Sequence, residues 1–226
     1  MTGALLMSDK IISSYKASKD IYDDVLTQSS MFGKLYIKLF WQGVDDNRIA
    51  AELLRYIPDR FSGRLLDVPV GTGVFTCAKY GRMKNADITC LDYSEDMLAQ
   101  AKARFAENKI NNVTFMQGDV GELPFGDCTF DTALSMNGFH AFPDKEKAFS
   151  EMTRVLKKGG KLVACFYIKG RSKVTDALVK NVLARKGWFT PPFDTSGMLM
   201  KRLERAYEVT NWHIRGSMVY FRATKK

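Results

Sequence analysis

Apolar and polar positions along the chain alternate between two rhythms. Short apolar runs of five to eight residues fall near 64–68, 87–91, 113–117, 130–135 and 160–167. Segments of helical period lie between them, near 74–80, 95–108 and 144–156. A strand followed by a helix and another strand returns in the same direction. The repeated alternation therefore predicts a doubly wound parallel sheet in an α/β domain. Ahead of it, residues 9–28 read as a helix with Ile11, Ile12, Tyr15, Ile21, Tyr22, Val25 and Leu26 on its apolar side. A break at Gln28-Ser29-Ser30 precedes an aromatic helix over 31–42, and a third helix, about 45–57, stops before Pro58. Beyond 168 come helices near 173–186 and 196–204. Two strands follow, about 207–214 and 217–223, split by Gly216 and read as an antiparallel hairpin closing the sheet edge. No internal repeat or low-complexity tract interrupts this order.

The turn after the first strand carries the chemistry. Residues 65–76 read L-L-D-V-P-V-G-T-G-V-F-T, and an acidic strand end, L-D-Y-S, follows at 91–94. Gly71 and Gly73 leave the turn open, so a ligand can lie against main-chain amides where the helix begins. Asp92 sits at the tip of the next strand, where a carboxylate can accept both hydroxyls of a ribose. The pairing predicts an adenosine-containing cofactor at the carboxyl edge of the sheet. In the dinucleotide fingerprint a third glycine or alanine follows, but Thr76 stands there. Asp67, at the end of the strand, suits a cationic amino group better than a pyrophosphate.

This loop resembles motif I of the class I S-adenosylmethionine-dependent methyltransferases, acid-x-G-x-G-x-G. Asp67 matches the acid, Gly71 and Gly73 match the second and third glycines, and Pro69 replaces the first. Proline offers the ligand no N–H and fixes its own φ, which an extended strand end accepts. V-T-F-M-Q-G-D-V at 113–120, L-P-F-G-D-C-T-F-D-T-A-L-S-M at 123–136 and R-V-L-K-K-G-G-K-L-V-A-C-F-Y at 154–167 continue the likeness in order. The nearest branch is that of the ubiquinone- and menaquinone-biosynthesis methyltransferases, with the methyltransferase type 11 domain. The resemblance implies a Rossmann-like, seven-stranded, mostly parallel sheet with an antiparallel last strand and an N-terminal helical cap. It divides the chain into substrate-capping helices at 1–57 and a methyltransferase core at 58–226. It implies S-adenosylmethionine as cofactor, held by Asp67, Pro69, Gly71, Thr72, Gly73, Asp92, Tyr93, Met97, Gly118, Asp119, Val120 and Ser135. Asp92 would take the ribose, Asp119 the adenine amine, and the 67–73 loop the methionine end. The expected activity is methyl transfer to a small molecule by in-line displacement, in a monomer or homodimer. The alternatives are a tRNA or rRNA methyltransferase and a non-catalytic cofactor-binding protein of the same fold.

Composition agrees with one enzyme domain. The chain has 226 residues, no apolar run of the roughly eighteen residues a membrane span needs, and an opening G-A-L-L-M too short for a signal-peptide core. Cys77, Cys90, Cys128 and Cys165 lack C-x-x-C spacing and read as reduced cysteines of a cytoplasmic protein. His140 and His213 are the only histidines, so no histidine-based metal site is expected. Charge is uneven: residues 154–226 carry 17 Lys and Arg against 4 Asp and Glu, residues 1–153 carry 17 against 21. Such asymmetry fits either a solvated basic face or an acidic partner such as RNA, an anionic membrane surface or an anionic substrate. Against nucleic acid, the chain after the fourth strand reads S-M-N-G-F. It lacks the N/D-P-P-Y/F tetrapeptide of enzymes that methylate base amino groups, and no RNA-binding module is appended.

Two groups of side chains are candidates for the acceptor's side of the reaction. His140, in M-N-G-F-H-A-F-P-D, follows the fourth strand and so reaches the edge where the methyl group is expected. There a neutral imidazole could take the acceptor's proton. It could equally cap a loop or bond the backbone. Tyr15, Tyr22, Tyr36 and Trp41, with Phe139 and Phe189, are the candidate substrate-lining aromatics, and packing onto the core would explain them as well. Pro191-Pro192 stiffen the chain between Phe189 and Phe193.

Overall fold

The computed structural model describes residues 46–226. Tyr15, Tyr22, Tyr36, Trp41 and the first two expected helices lie outside the described residues. Seven strands form one sheet in the order β3-β2-β1-β4-β5-β7-β6. They are β1 (Gly63–Asp67), β2 (Ala86–Asp92), β3 (Val113–Gln117), β4 (Phe130–Met136), β5 (Leu156–Tyr167), β6 (Tyr207–Arg215) and β7 (Met218–Lys225). Strands β1 to β5 are parallel, and β7 runs antiparallel to both β5 and β6. The doubly wound, Rossmann-like sheet with an antiparallel last strand is thus the observed fold.

The helices are α1 (Asp46–Leu54), α2 (Cys77–Tyr80), α3 (Glu95–Glu107), α4 (Lys145–Val155), α5 (Lys173–Leu178) and α6 (Ser196–Glu204). They cover both faces, so consecutive strand residues are buried. Leu65 belongs to an apolar layer with Ile88, Phe105, Leu134 and Val163, whereas Leu66 joins Leu91, Ala133, Phe149 and Phe166 on the other side. This is why the central strands read as unbroken apolar runs. Helix starts are fixed locally. Ser94, Asp144, Ser172 and Thr195 each accept a backbone N–H three residues on, which satisfies one orphan donor and contributes about 1 kcal/mol.

Several boundaries differ from the sequence expectation. The helix expected over 74–80 contracts to Cys77–Tyr80, because Val70–Thr76 is spent on turns in which Gly73 N–H donates to Val70 O. Strand β5 begins at Leu156, paired with Phe130, before the register shifts and resumes at Lys161 opposite Thr132. Helix 173–186 gives way after Leu178 to a π-helical turn, Val179–Leu183. The hairpin closes the sheet edge as expected, and its second strand lies inside: β7 inserts between β5 and β6, leaving β6 at the edge. Met218 to Phe221 are all buried, which suits an interior strand, whereas β6 is largely half-exposed. Helix α1, grouped with the cap in the sequence, packs in the core through Ile49, Ala50, Leu53 and Leu54. Among the described residues no helix is long and apolar enough to cross a membrane.

Candidate functional site

Strand β1 pairs with β2 on one side and β4 on the other, and the crossovers leave in opposite directions. The carboxyl ends of these strands therefore open a crevice at the topological switch point, where ligands of such sheets bind. A cavity lies there. Its floor is the end of β1. Asp67 is 1% exposed and accepts a hydrogen bond from Tyr80 Oη at 2.8 Å. Burial pushes its carboxyl up to about 7; the Tyr80 and Thr76 hydroxyls pull it down in part, and the nearby Asp92 pushes it further up.

The loop after Asp67 is held at both sides. Val68 N–H donates to Leu134 O of β4 and Val70 N–H to Leu91 O of β2. Its two glycines do different work. Gly71 has φ 57°, and a Cβ built on it would meet nothing within 4 Å, so its bare face belongs to the cavity. Gly73 has φ 69°, and its Cβ would come within 2.6 Å of the Phe105 ring. Gly73 is therefore needed for packing of the loop against α3 and does not line the cavity.

Asp92, at the end of β2, is fixed by backbone. Oδ2 accepts Gly71 N–H at 2.8 Å and Oδ1 accepts Ser94 N–H at 2.9 Å. Burial pushes it up to about 6, with the backbone N–H groups of Ser94, Gly71 and Tyr93 opposing. Each carboxylate oxygen keeps a further lone pair for a ligand. Tyr93 stands 42% exposed at the rim, and the Ser94 cap places Met97 in the wall. Beyond β3, Gly118 N–H donates to Asp92 O, and Asp119 accepts Gly121 N–H at 2.7 Å in a tight turn. Gly118, Asp119 and Val120 complete that side of the cavity.

The opposite wall comes from the loop after β4. Asn137 adopts φ 56°, and Gly138 follows it. A Cβ at Gly138 would strike Pro69 Cδ and lie 2.6 Å from both Phe142 Cζ and Ser135 Oγ. Pro69, on a cis Val68–Pro69 bond, thus occupies room that Gly138 vacates. The departure from the glycine pattern at Pro69 is matched by a glycine across the crevice. Met136, Asn137, Phe142 and Pro143 line the cavity here, with Val74, Phe75 and Thr76 from the first loop. None of these seven is among the site residues the sequence predicts. In the post-β4 segment the sequence points to His140 and Phe139, and which of their neighbours face inward depends on the turn at Asn137-Gly138.

His140 is not among the lining residues. Its buried ring stacks on Phe189 with centroids 4.0 Å apart, and Nδ1 accepts Tyr167 N–H at 3.1 Å. Burial first, and the Lys145 charge second, bring it down to about 3, so it stays neutral. Phe139 stacks on Phe149 in the core at 4.0 Å, and Phe189 packs beneath the loop. Ser135 is fully buried behind the wall. The expected substrate contacts of Phe139 and Phe189, and the cofactor contact of Ser135, therefore have no cavity surface to act through. Lys145, buried and brought down to about 8 by desolvation, donates to Phe142 O at 3.2 Å and Thr190 O at 2.5 Å. Thr190 N–H in turn donates to His140 O. These bonds strap residues 187–195 under the post-β4 loop.

Residues 65–160 match a family described as a methyltransferase domain. The ubiquinone/menaquinone biosynthesis C-methyltransferase UbiE of Proteus mirabilis is 35% identical over 135 residues, 57% of this chain and 53% of that protein. A phosphatidylethanolamine N-methyltransferase of Cereibacter sphaeroides is 38% identical over 124 residues, 54% of this chain and 59% of that protein. The chain thus spans a little over half the length of these curated relatives. Among solved structures, a SAM-dependent methyltransferase of Thermotoga maritima superposes with a TM-score of 0.67 at 20% identity, covering 96% of this chain and 100% of that one. The cyclase SpnF gives the same TM-score at 21% identity over 82% of each chain.

Proposed function

We propose that this chain, which carries a class I methyltransferase domain, transfers a methyl group from S-adenosylmethionine to a small-molecule acceptor. One observation supports the reading most. Two buried carboxyls, Asp67 and Asp92, end adjacent strands on either side of an open Gly71, in the wall of one cavity. Burial pushes both above the usual carboxylate range, so their ionised forms are poorly compensated in the cavity. A ligand bearing an amino group and a sulfonium relieves that deficit, whereas a dinucleotide pyrophosphate would add to it. The bare face of Gly71 admits the ligand against main chain.

In this reading Asp67 faces the amino group, Asp92 accepts the ribose hydroxyls, and Asp119 accepts the adenine amine. Bound there, the sulfonium supplies an activated methyl carbon. The protein's remaining task is to align the acceptor, which can lower a barrier by roughly 7–11 kcal/mol. Phe75, Met136, Phe142 and Pro143 give the acceptor side an apolar wall and exclude water. That suits a small, partly apolar acceptor, in keeping with relatives named for quinone and phospholipid methylation. His140 serves as a positioning residue for the post-β4 loop, since its Nδ1 is already occupied and its basicity is low.

Calorimetry with S-adenosylhomocysteine tests the cofactor, and methyl-labelled cofactor incubated with a metabolite extract, with products read by mass, tests the transfer. Saturable binding and a labelled small molecule are expected. Tight NAD binding with no response to S-adenosylhomocysteine would refute the assignment.

A further inference from the structure

The segment that leaves the carboxyl end of β5 carries a surface the cavity does not use. Along α5 and its π-helical continuation, Thr175, Val179 and Leu183 recur every four residues and are buried. The other side presents Val174, 70% exposed, and Val182, 37% exposed, two of the four exposed large apolar side chains among the described residues. Lys169, Arg171, Lys173, Lys180, Arg185 and Lys186 lie in the same stretch of chain, all exposed. The one acid within 169–188, Asp176, is engaged by Tyr167 Oη at 2.6 Å and Gly170 N–H at 2.9 Å. At the end of the segment Trp188 is half-buried, with Lys186 Nζ 5.1 Å from its ring centroid.

We infer that residues 169–188 form a docking surface for an anionic lipid bilayer. Six exposed cations share this stretch with two apolar side chains left exposed among the described residues. Charge complementarity draws such a surface to acidic headgroups, and the two valines can then enter the interface. A solvated basic face would need no valine at 70% exposure. Nucleic acid would use the cations but gives Val174 and Val182 nothing to contact. Because the segment leaves the same sheet edge as the cavity, docking brings the cavity's side of the molecule to the membrane surface. The inference stands on this surface alone and does not depend on the reaction proposed above.

The test is flotation of the full chain with vesicles of phosphatidylcholine, with and without about one third phosphatidylserine. Binding only to the anionic vesicles is expected, reduced when salt rises to about 0.5 M because screening shortens the reach of surface charge. Each basic residue near such a surface contributes roughly fivefold. Lys173→Gln, Lys180→Gln and Arg185→Gln together should therefore weaken binding about a hundredfold. Val174→Asp should weaken it about tenfold, the scale of one buried valine, at an unchanged melting temperature. Absence of binding to anionic vesicles overturns the inference. So does a fall in melting temperature for Val174→Asp, which would mean that another part of the chain covers this face. Tight, salt-sensitive binding of purified tRNA that displaces the vesicles and is indifferent to Val174→Asp assigns the surface to nucleic acid instead.

Discussion

Replacing Asp67 by Asn isolates what the buried carboxyl costs the fold and what it gives the ligand. The side chain keeps its size and its acceptor for Tyr80 Oη, and its other edge faces the cavity. In the unfolded chain Asp67 titrates near 3.8; in the fold it is pushed up to about 7, chiefly by desolvation. Below pH 3.8 the wild-type carboxyl is protonated in both states and behaves much like Asn. As pH rises toward 7 the unfolded chain ionises while the folded one resists, and wild-type stability falls. The full displacement corresponds to roughly 4 kcal/mol. The buried Asn amide hydrogens take back about 1–2 kcal/mol if water in the cavity satisfies them incompletely. We therefore expect Asp67→Asn to be more stable than wild type by about 2–3 kcal/mol at pH 8 and less stable than it by about 1 kcal/mol at pH 4. Urea denaturation at the two pH values measures the difference. The same variant should bind S-adenosylhomocysteine at least about tenfold more weakly at pH 8, having lost the charge that faces the amino group. A variant that is less stable at pH 8, or whose difference from wild type does not change with pH, would show that Asp67 is not held out of its normal range by burial.

Asp92→Ala should weaken S-adenosylhomocysteine binding by about tenfold or more in calorimetry, since a hydrogen bond to a charged group contributes roughly 1.5–3 kcal/mol. Full retention of affinity would remove Asp92 from the site. Gly138→Ala should cost about 1–3 kcal/mol of stability by overpacking against Pro69 and Phe142, and Pro69→Gly in the same chain should restore part of it. Strict additivity of the two changes would mean that the two residues do not share that space. His140→Gln, which can keep an acceptor for Tyr167 N–H, should retain turnover within about tenfold with an unshifted pH profile. A loss of about a hundredfold or more, with stability unchanged, would return His140 to the role of catalytic base.

The order of strands and helices, the doubly wound class and the acidic strand ends Asp67, Asp92 and Asp119 are local properties, and the sequence alone determined them. Apolar runs, helix caps and glycine turns depend on neighbours a few residues away, so they survive without knowledge of the fold. Ten of the twelve expected cofactor residues line the cavity, because a loop and two strand ends place their side chains by backbone direction. Gly73 and Ser135 do not, and the reason is tertiary. Gly73 is spoken for by Phe105 of α3, distant in sequence, and Ser135 is closed off behind Gly138 and Phe142. The insertion of β7 ahead of β6 likewise depends on which strand is buried on both faces. Only the tertiary structure could move His140 from the cavity to the loop beneath it, because its partners, Tyr167 and Phe189, are 27 and 49 residues away. Only it could show that Pro69 and Gly138 fill one space between them. Each of these outcomes depends on contacts between distant segments, which no local pattern of residues encodes.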